Sequence, residues 1–325
     1  MSCLILLHAM GTGVARRCQW LNLAMLLDEL GALIAQHSRN TLVTIADGVL
    51  ISGVEHTGPP TVSTTGTVMV LMAQGAKRMA VGDHVHDYHG GQCMVACVDL
   101  PLTGHFTEAS PSVPALGFAL TLKPTAIAEL LLHPAAADFP RTTRGAVAPS
   151  GIAVHDAPTE LIDAVLRMVR LLDRPRDRPI LAPMIEREIL WLLMRGRGGA
   201  LVRQLGLADS SLNRVGHAVR WLREHYADSI RVDELAQMTH MSPSAFHRTF
   251  QAVTAMSPIQ FQKQIRLQEA RIRLLANPND VAGAAYAVGY ESPSHFSRDY
   301  RRRFGTPPAE DAARLRDAAL TGGHQ

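Results

Sequence analysis

Apolar residues recur at helical spacing through Leu23, Leu26, Leu27, Leu30, Leu33 and Ile34, which predicts a helix from about Leu21 to Ser38. From Thr41 to about Leu122 the period shortens. Runs rich in β-branched and other apolar residues (Val49–Val54, Thr67–Met72, Cys93–Val98 and Leu116–Leu122) alternate with turn signals such as Thr57-Gly58-Pro59-Pro60, His89-Gly90-Gly91 and Ser110-Pro111. Several short strands at this spacing predict a sandwich or small barrel. Helical patterning returns at Pro124–His133, Pro158–Leu172 and Pro179–Met194. The last two carry stripes (Leu161, Val165, Met168 and Leu172; Ile185, Ile189, Leu192 and Leu193) and a charged turn, Asp173–Arg176, between them. They read as an antiparallel pair whose stripes form either core or a dimer seam. A glycine-rich break at Arg195–Gly199 places a boundary before Ser211, and from Asn213 to Arg316 the chain reads as helices with short turns. The expected organisation is an α+β multidomain chain. It has an unassigned tail over residues 1–20, a β-barrel with helices over 21–205, an all-α domain over 211–318 and a disordered tail over 319–325.

The helical part repeats. Met241-Ser242-Pro243-Ser244-Ala245-Phe246-His247-Arg248-Thr249-Phe250 aligns at a shift of 50 with Glu291-Ser292-Pro293-Ser294-His295-Phe296-Ser297-Arg298-Asp299-Tyr300, and Pro258 aligns with Pro308. Such self-similarity signals a duplicated supersecondary unit. In the first copy, Val232–Thr239 predicts a short helix with Asp233 and Glu234 at its positive end. His240-Met241 forms a tight turn, Ser242 caps the next helix, and Pro243 occupies the first helical position, where its missing N–H costs nothing. Leu235, Phe246 and Phe250 point into a shared core. The second copy runs through Val281–Val288, the turn Gly289-Tyr290-Glu291, the cap Ser292 and a helix over Ser294–Phe304. Gly289 supplies the left-handed conformation the turn needs, and Ala236 and Ala285 are small where helices approach closely. Each copy reads as a helix-turn-helix.

Assigning the core leaves Ser244, Ala245, His247, Arg248 and Gln251 on the outer face of one second helix, and Ser294, His295, Ser297, Arg298, Arg301 and Arg302 on the other. These side chains suit base edges and phosphates. Arg248 and Arg298, then Ser244, His247, Ser294 and His295, are the candidates for base edges; Arg301 and Arg302 are the candidates for phosphates. Between the copies Pro258–Ala276, with Phe261, Ile265, Ile272 and Leu275 apolar, predicts a helix of about 28 Å. It would hold the two units at a spacing suited to successive major grooves.

Charge adds little by itself: the chain carries +3, with 15 basic against 11 acidic residues from Asn213 onward. The clustering of Arg298, Arg301, Arg302 and Arg303 in one segment matters more. With 47% hydrophobic and 19% charged residues the chain can bury a sizeable core. No apolar run is long enough to cross a bilayer. Ser2–Met10 is apolar, but Arg16 and Arg17 follow it instead of preceding it, so it is not read as a signal peptide. The expected compartment is the cytoplasm, with Cys3, Cys18, Cys93 and Cys97 as reduced thiols; Cys93 and Cys97 read as buried small residues.

The stretch Val215–Pro308 resembles the AraC/XylS family of bacterial transcription regulators. The carriers are Met241–Phe250, Ser257-Pro258-Ile259-Gln260-Phe261, Arg266-Leu267-Gln268-Glu269-Ala270-Arg271, Val288-Gly289-Tyr290-Glu291-Ser292 and Phe304-Gly305-Thr306-Pro307-Pro308. Ala255 departs from the family, which usually has glycine there; a positive φ would then strain alanine by about 1 kcal/mol. The region from about Leu21 to Leu205 is similar to the cupin-like sensor domain of one subgroup, through Gln74-Gly75-Ala76-Lys77-Arg78, Asp99-Leu100-Pro101-Leu102 and Ala109-Ser110. The resemblance implies a non-enzymatic regulator without a cofactor. Its implied partners are double-stranded DNA, RNA polymerase, an unidentified small-molecule effector and a second copy in a homodimer.

One alternative comes from another class. His84-Val85-His86, with Asp83, Asp87 and His89 nearby, places two histidines on one side of a strand, as in a metal-dependent cupin enzyme. Gln92 stands where those sites have glutamate, and His105 is the candidate third nitrogen. Turn-adjacent polar histidines account for the run without metal, and the expectation is no metal site. Ser150-Gly151 and Gly196–Gly199 lack the strand–helix context of phosphate loops or nucleophile elbows.

Overall fold

Where the period is near two, strands form, and where it lengthens, helices take over. A computed structural model describes residues 21–140 and 150–321. The predicted tail over residues 1–20, with Cys3 and Cys18, lies outside the described residues. A first helix, α1, spans residues 21–37. The strands are β1 (Leu42–Ala46), β2 (Val49–Val54), β3 (Thr61–Thr64), β4 (Val68–Gln74), β5 (Ala76–Val81), β6 (His84–His89), β7 (Gln92–Ala96), β8 (Pro101–Glu108) and β9 (Ala115–Thr121), with β10 (Ile152–Asp156) arriving late. They form a six-stranded sheet ordered β1-β2-β9-β4-β7-β10 and a four-stranded sheet ordered β3-β8-β5-β6, antiparallel throughout. Met69, Leu71, Phe118, Met79 and Tyr88 fill the interior and are almost wholly excluded from solvent. Cys93 and Cys97 are buried there as free thiols, and burial pushes both well above the ordinary cysteine range.

Helices α2 (Pro124–Leu131), α3 (Thr159–Val169), α4 (Arg178–Arg195) and α5 (Gly199–Leu205) complete this half. α3 and α4 pack on each other. Of their stripes, Leu161, Val165, Met168, Ile185, Ile189 and Leu193 are buried in the chain's own core, so the stripe is not a free dimer seam. The large apolar side chains that α4 turns outward are Ile180 and Met184.

The second half is α6 (Ser211–Glu224), α7 (Val232–Met238), α8 (Pro243–Thr254), α9 (Pro258–Ala276), α10 (Val281–Ala287), α11 (Pro293–Phe304) and α12 (Pro308–Thr321). Since α12 reaches Thr321, the tail expected from residue 319 is helical over residues 319–321; residues 322–325 lie outside the described residues. The apolar packing divides unexpectedly. One continuous core runs from Leu30 through the sheets and α6 to Phe246, Phe250, Phe261 and Ile265. A separate cluster holds Leu267, Ala270, Leu274, Ala285, Val288, Phe296 and Tyr300. α9 therefore serves both cores with different faces. Ile272 and Leu275, apolar in sequence, are exposed because Leu267, Ala270 and Leu274 take the inward positions.

Candidate nucleic-acid interface

α7 and α8 form the first unit. Ala236 is fully buried where α7 meets α8. The Thr239 hydroxyl donates back to the carbonyls of Leu235 and Ala236, both at 3.0 Å, closing α7. His240 turns the chain at φ 53°, and the Met241 N–H returns to the Ala236 carbonyl at 2.9 Å. The Ser242 hydroxyl then accepts from the Ala245 N–H at 3.4 Å, with Pro243 at the first position of α8. Phe246 and Phe250 bury the inner face, and Phe250 meets Phe261 of α9 edge-on at 5.5 Å. α8 ends at Ala255 in the left-handed conformation, φ 58°. The residue that departs from the family thus occupies the strained position the sequence pointed to. Its counterpart in the other copy is Gly305, φ 81°.

α10 and α11 repeat the design. Ser292 accepts from the His295 N–H at 3.4 Å, while Phe296 and Tyr300 are fully buried. The Tyr290 N–H bonds the Ala285 carbonyl at 3.0 Å, matching the Met241 bond in the first copy. The shift is therefore 50 between the second helices but 49 between the first, and Glu291 is the extra residue of the second turn. Gly289 is required here: its φ is 82°, and a Cβ would stand 2.0 Å from the Ala227 carbonyl oxygen.

With the aromatic faces buried, Ser244, His247, Arg248 and Gln251 stand exposed on α8, and Ser294, His295, Arg298, Arg301 and Arg302 stand exposed on α11. Ser297 is half-buried, because it flanks the packed row of Phe296 and Tyr300. Among the described residues, Arg248, Arg298 and Arg301 have no carboxylate partner. Arg302 and His295 do: both face Asp299. The basic last turn of α11 also suits the negative end of the helix.

Three residues beyond the candidates shape this surface. Arg266 of α9 donates from Nε to the Tyr226 carbonyl (2.6 Å), from Nη1 to Gly289 (2.8 Å), and from Nη2 to Ala227 (3.2 Å) and Asp228 (2.9 Å). It ties the loop before the first unit to the turn of the second. Arg303, next to the exposed arginines, turns the other way and donates to the Thr103 hydroxyl of β8 at 2.8 Å. Asp299 is nearly buried and collects cations from two helices.

The two halves of the chain meet closely. The Gly151 N–H donates to the Val253 carbonyl at 2.8 Å, Asp99 pairs with Arg223, and the Gln268 amide donates to the Ser63 carbonyl at 3.3 Å. A Cβ at Gly82 would stand 2.5 Å from the Ala255 carbonyl oxygen, so glycine permits the β5–β6 turn to touch the end of α8.

The histidine run does not assemble a three-nitrogen site with His105. His86 pairs with Met79 and Tyr88 with Lys77 in the register, on the face of β5 and β6 turned toward the core. His105 pairs with Arg78, which grips Asp87 through two 2.7 Å bonds on the opposite face. Gln92 is spent on Asp156 at 3.0 Å. No group of three or more potential metal ligands converges among the described residues.

Comparison with known proteins agrees with this arrangement. The family model described as the AraC-type transcriptional regulator N-terminus matches residues 46–201, and one described as a helix-turn-helix domain matches residues 235–314. The HTH-type transcriptional activator RhaS of Escherichia coli strain SMS-3-5 is 28% identical over 162 residues, covering 49% of this chain and 57% of RhaS. RhaS of Escherichia fergusonii is 29% identical over 161 residues, covering 49% and 56%. The chain spans little more than half the length of these curated relatives. In fold it is similar to an apo ToxT variant from Vibrio cholerae strain SCE256, with a TM-score of 0.50 and 9% identity over 82% of this chain and 97% of that one. A β-rich domain of the AraC N-terminal type followed by a duplicated helix-turn-helix therefore identifies the chain as a member of the AraC family of transcription regulators.

Proposed function

We propose that this regulator binds double-stranded DNA sequence-specifically, with α8 and α11 entering adjacent major-groove segments. The observation that carries the reading is the repeated partition of the second helices: aromatic residues buried on one side, and Arg248 and Arg298 exposed and, among the described residues, without carboxylate partners at the same offset on the other. Unpaired guanidinium groups fit guanine edges, and the flanking Ser244, His247, Ser294 and His295 fit smaller donor and acceptor patterns. Gln251 and Arg301 extend each face toward the backbone, where Arg301 and Arg302 meet phosphates. The N-terminal domain biases occupancy through contacts that reach both units, from Gly151 to Val253 and from Thr103 to Arg303. A small-molecule effector or a second copy bound by that domain would act through them, and RNA polymerase is the partner through which DNA occupancy is read out.

In vitro selection of duplexes by the full chain, followed by affinity measurements on Arg298→Ala, tests the reading. We expect a loss of about 1–3 kcal/mol on the selected site with relaxed preference at one position. A loss equal on every sequence would assign Arg298 to phosphate, and no enrichment of any sequence would end the reading.

A further inference from the structure

We infer that Asp299 is a positioning residue of the second recognition helix: its carboxylate holds His295 and Arg302 in place on α11 and so sets how sharply that helix discriminates between base sequences. This rests on the DNA reading above. The Asp299 side chain is only 3% exposed, and four groups from three segments surround it. Lys263 of α9 lies at 2.7 Å, His295 at 3.4 Å and Arg302 at 3.7 Å. The Tyr290 hydroxyl of the turn donates to it at 3.4 Å.

The distances divide these partners into two classes. Lys263 makes a close charge-assisted contact that neutralises the carboxylate. His295 and Arg302 stand one turn before and one turn after it on the same face of α11. Their contacts are longer and their side chains stay 61% and 72% exposed. They are tethered yet still available to a ligand. Beside them a groove of about 670 Å³ runs between α9 and the start of α11, leaving His295 room to swing away if released. Long side chains that are not held in place lose rotamer freedom on binding, which weakens selective contacts. Losing the carboxylate also makes α11 more positive, which strengthens attraction to any duplex. The device belongs to one copy: at the shift of 50 the first unit has Ala245, Thr249 and Ala252 at these positions.

The test uses the full chain. Asp299→Asn is compared with wild type by fluorescence anisotropy on the selected site, on sites with base pairs changed in either half, and on random duplex across salt concentrations. Discrimination within the half-site read by α11 should fall about tenfold, with the other half unaffected. Random-duplex affinity should rise severalfold and its salt dependence should steepen by about one counterion. Lys263→Met, which leaves the carboxylate to His295, Arg302 and the Tyr290 hydroxyl, should keep the discrimination and lower random-duplex affinity. A purely structural Lys263–Asp299 pair would make both variants behave alike, and that outcome overturns the proposal, as does discrimination within twofold of wild type in Asp299→Asn. Should Asp299→Asn fail to fold by circular dichroism, side-chain 15N relaxation of His295 and Arg302 in the DNA-free wild-type chain decides: side chains more ordered than the unpartnered Arg298 support the proposal, and side chains as mobile as Arg298 overturn it. A wild-type chain that prefers no sequence removes the DNA reading and this inference together. A wild type that discriminates beside an unchanged Asp299→Asn removes only the inference.

Discussion

Replacing Arg266 by alanine is the sharpest structural test of how the two helix-turn-helix units are joined. Its guanidinium reaches four carbonyls, of Tyr226, Ala227, Asp228 and Gly289, at 2.6–3.2 Å. A hydrogen bond to a charged group contributes about 1.5–3 kcal/mol net. The four are not additive, because they share one side chain and the carbonyls on the solvent side rehydrate. A loss of about 3–4 kcal/mol follows, large among single substitutions. Arg266→Lys should recover less than half, since a compact ammonium cannot span two loops as a planar fork does. The loss should be uneven. The Gly289 end belongs to the second unit, whose core is separate, so the amides of α10 and α11 should exchange faster while those of the sheets stay protected. Urea unfolding gives the total, and native-state hydrogen exchange gives its distribution. A loss below about 1 kcal/mol, or unchanged exchange in α10 and α11, would refute the account of Arg266 as the tie between the units.

Two further outcomes follow from local geometry. Ala255→Gly should raise stability by up to about 1 kcal/mol by relieving the left-handed strain at φ 58°, seen as a higher urea midpoint at constant slope; a decrease would show that the methyl group's packing outweighs the strain. His86 is held below the ordinary histidine value by burial and by His84, and His217 by burial and by Arg220. The native state thus favours their neutral forms while the unfolded chain protonates near pH 6.5, so stability should fall as pH drops below that value. The double variant His86→Gln/His217→Gln should flatten this part of the profile, and an unchanged slope between pH 7.5 and 5.5 would count against it.

The duplicated unit was legible because its signals are local. Ser-Pro caps, an aromatic every fourth residue and a left-handed turn residue act within a dozen positions, and the physics that makes them work is the physics that makes them visible. What escaped depends on distance along the chain. Asp299 reads as one more solvated charge on a basic helix, since its neutralising Lys263 lies 36 residues upstream; only packing α9 against α11 buries it. Arg303 looks like its neighbours until β8, 200 residues earlier, supplies Thr103. The extra residue Glu291 was hidden because the aligned motif takes its register from the second helices, and the first helices are too short to correct it. β10 is five residues of mixed polarity on a sheet edge, and only pairing from Ile152–Ala96 to Asp156–Gln92 makes it a strand. On β6 the alternation places His84 and His86 on one face, yet the face of His105 follows from cross-strand register alone.

The same distinction between local and long-range packing separates the two units in how they are held. The first is fused to the N-terminal domain by apolar contact: Val253 and Met256, at the end of α8, belong to the core that includes Leu100 and Ile152. A fully buried aliphatic side chain of this kind contributes about 1.5–3 kcal/mol, so apolar burial anchors the end of α8 to the N-terminal domain. The second unit has its own core and meets the N-terminal domain through polar contacts, Arg303 with Thr103 and Gln268 with Ser63. Each such contact contributes about 0.5–1.5 kcal/mol. Equal loads therefore act unequally. A change in the N-terminal domain would bear directly on α8, whereas among the described residues the second unit meets that domain through these weaker contacts and through α9, whose two faces belong to different cores. On the proposed reading of two half-sites, this asymmetry would make the placement of α11 relative to α8 the coordinate on which the N-terminal domain acts, with Arg266, which ties Gly289 to the loop before α7, restraining it.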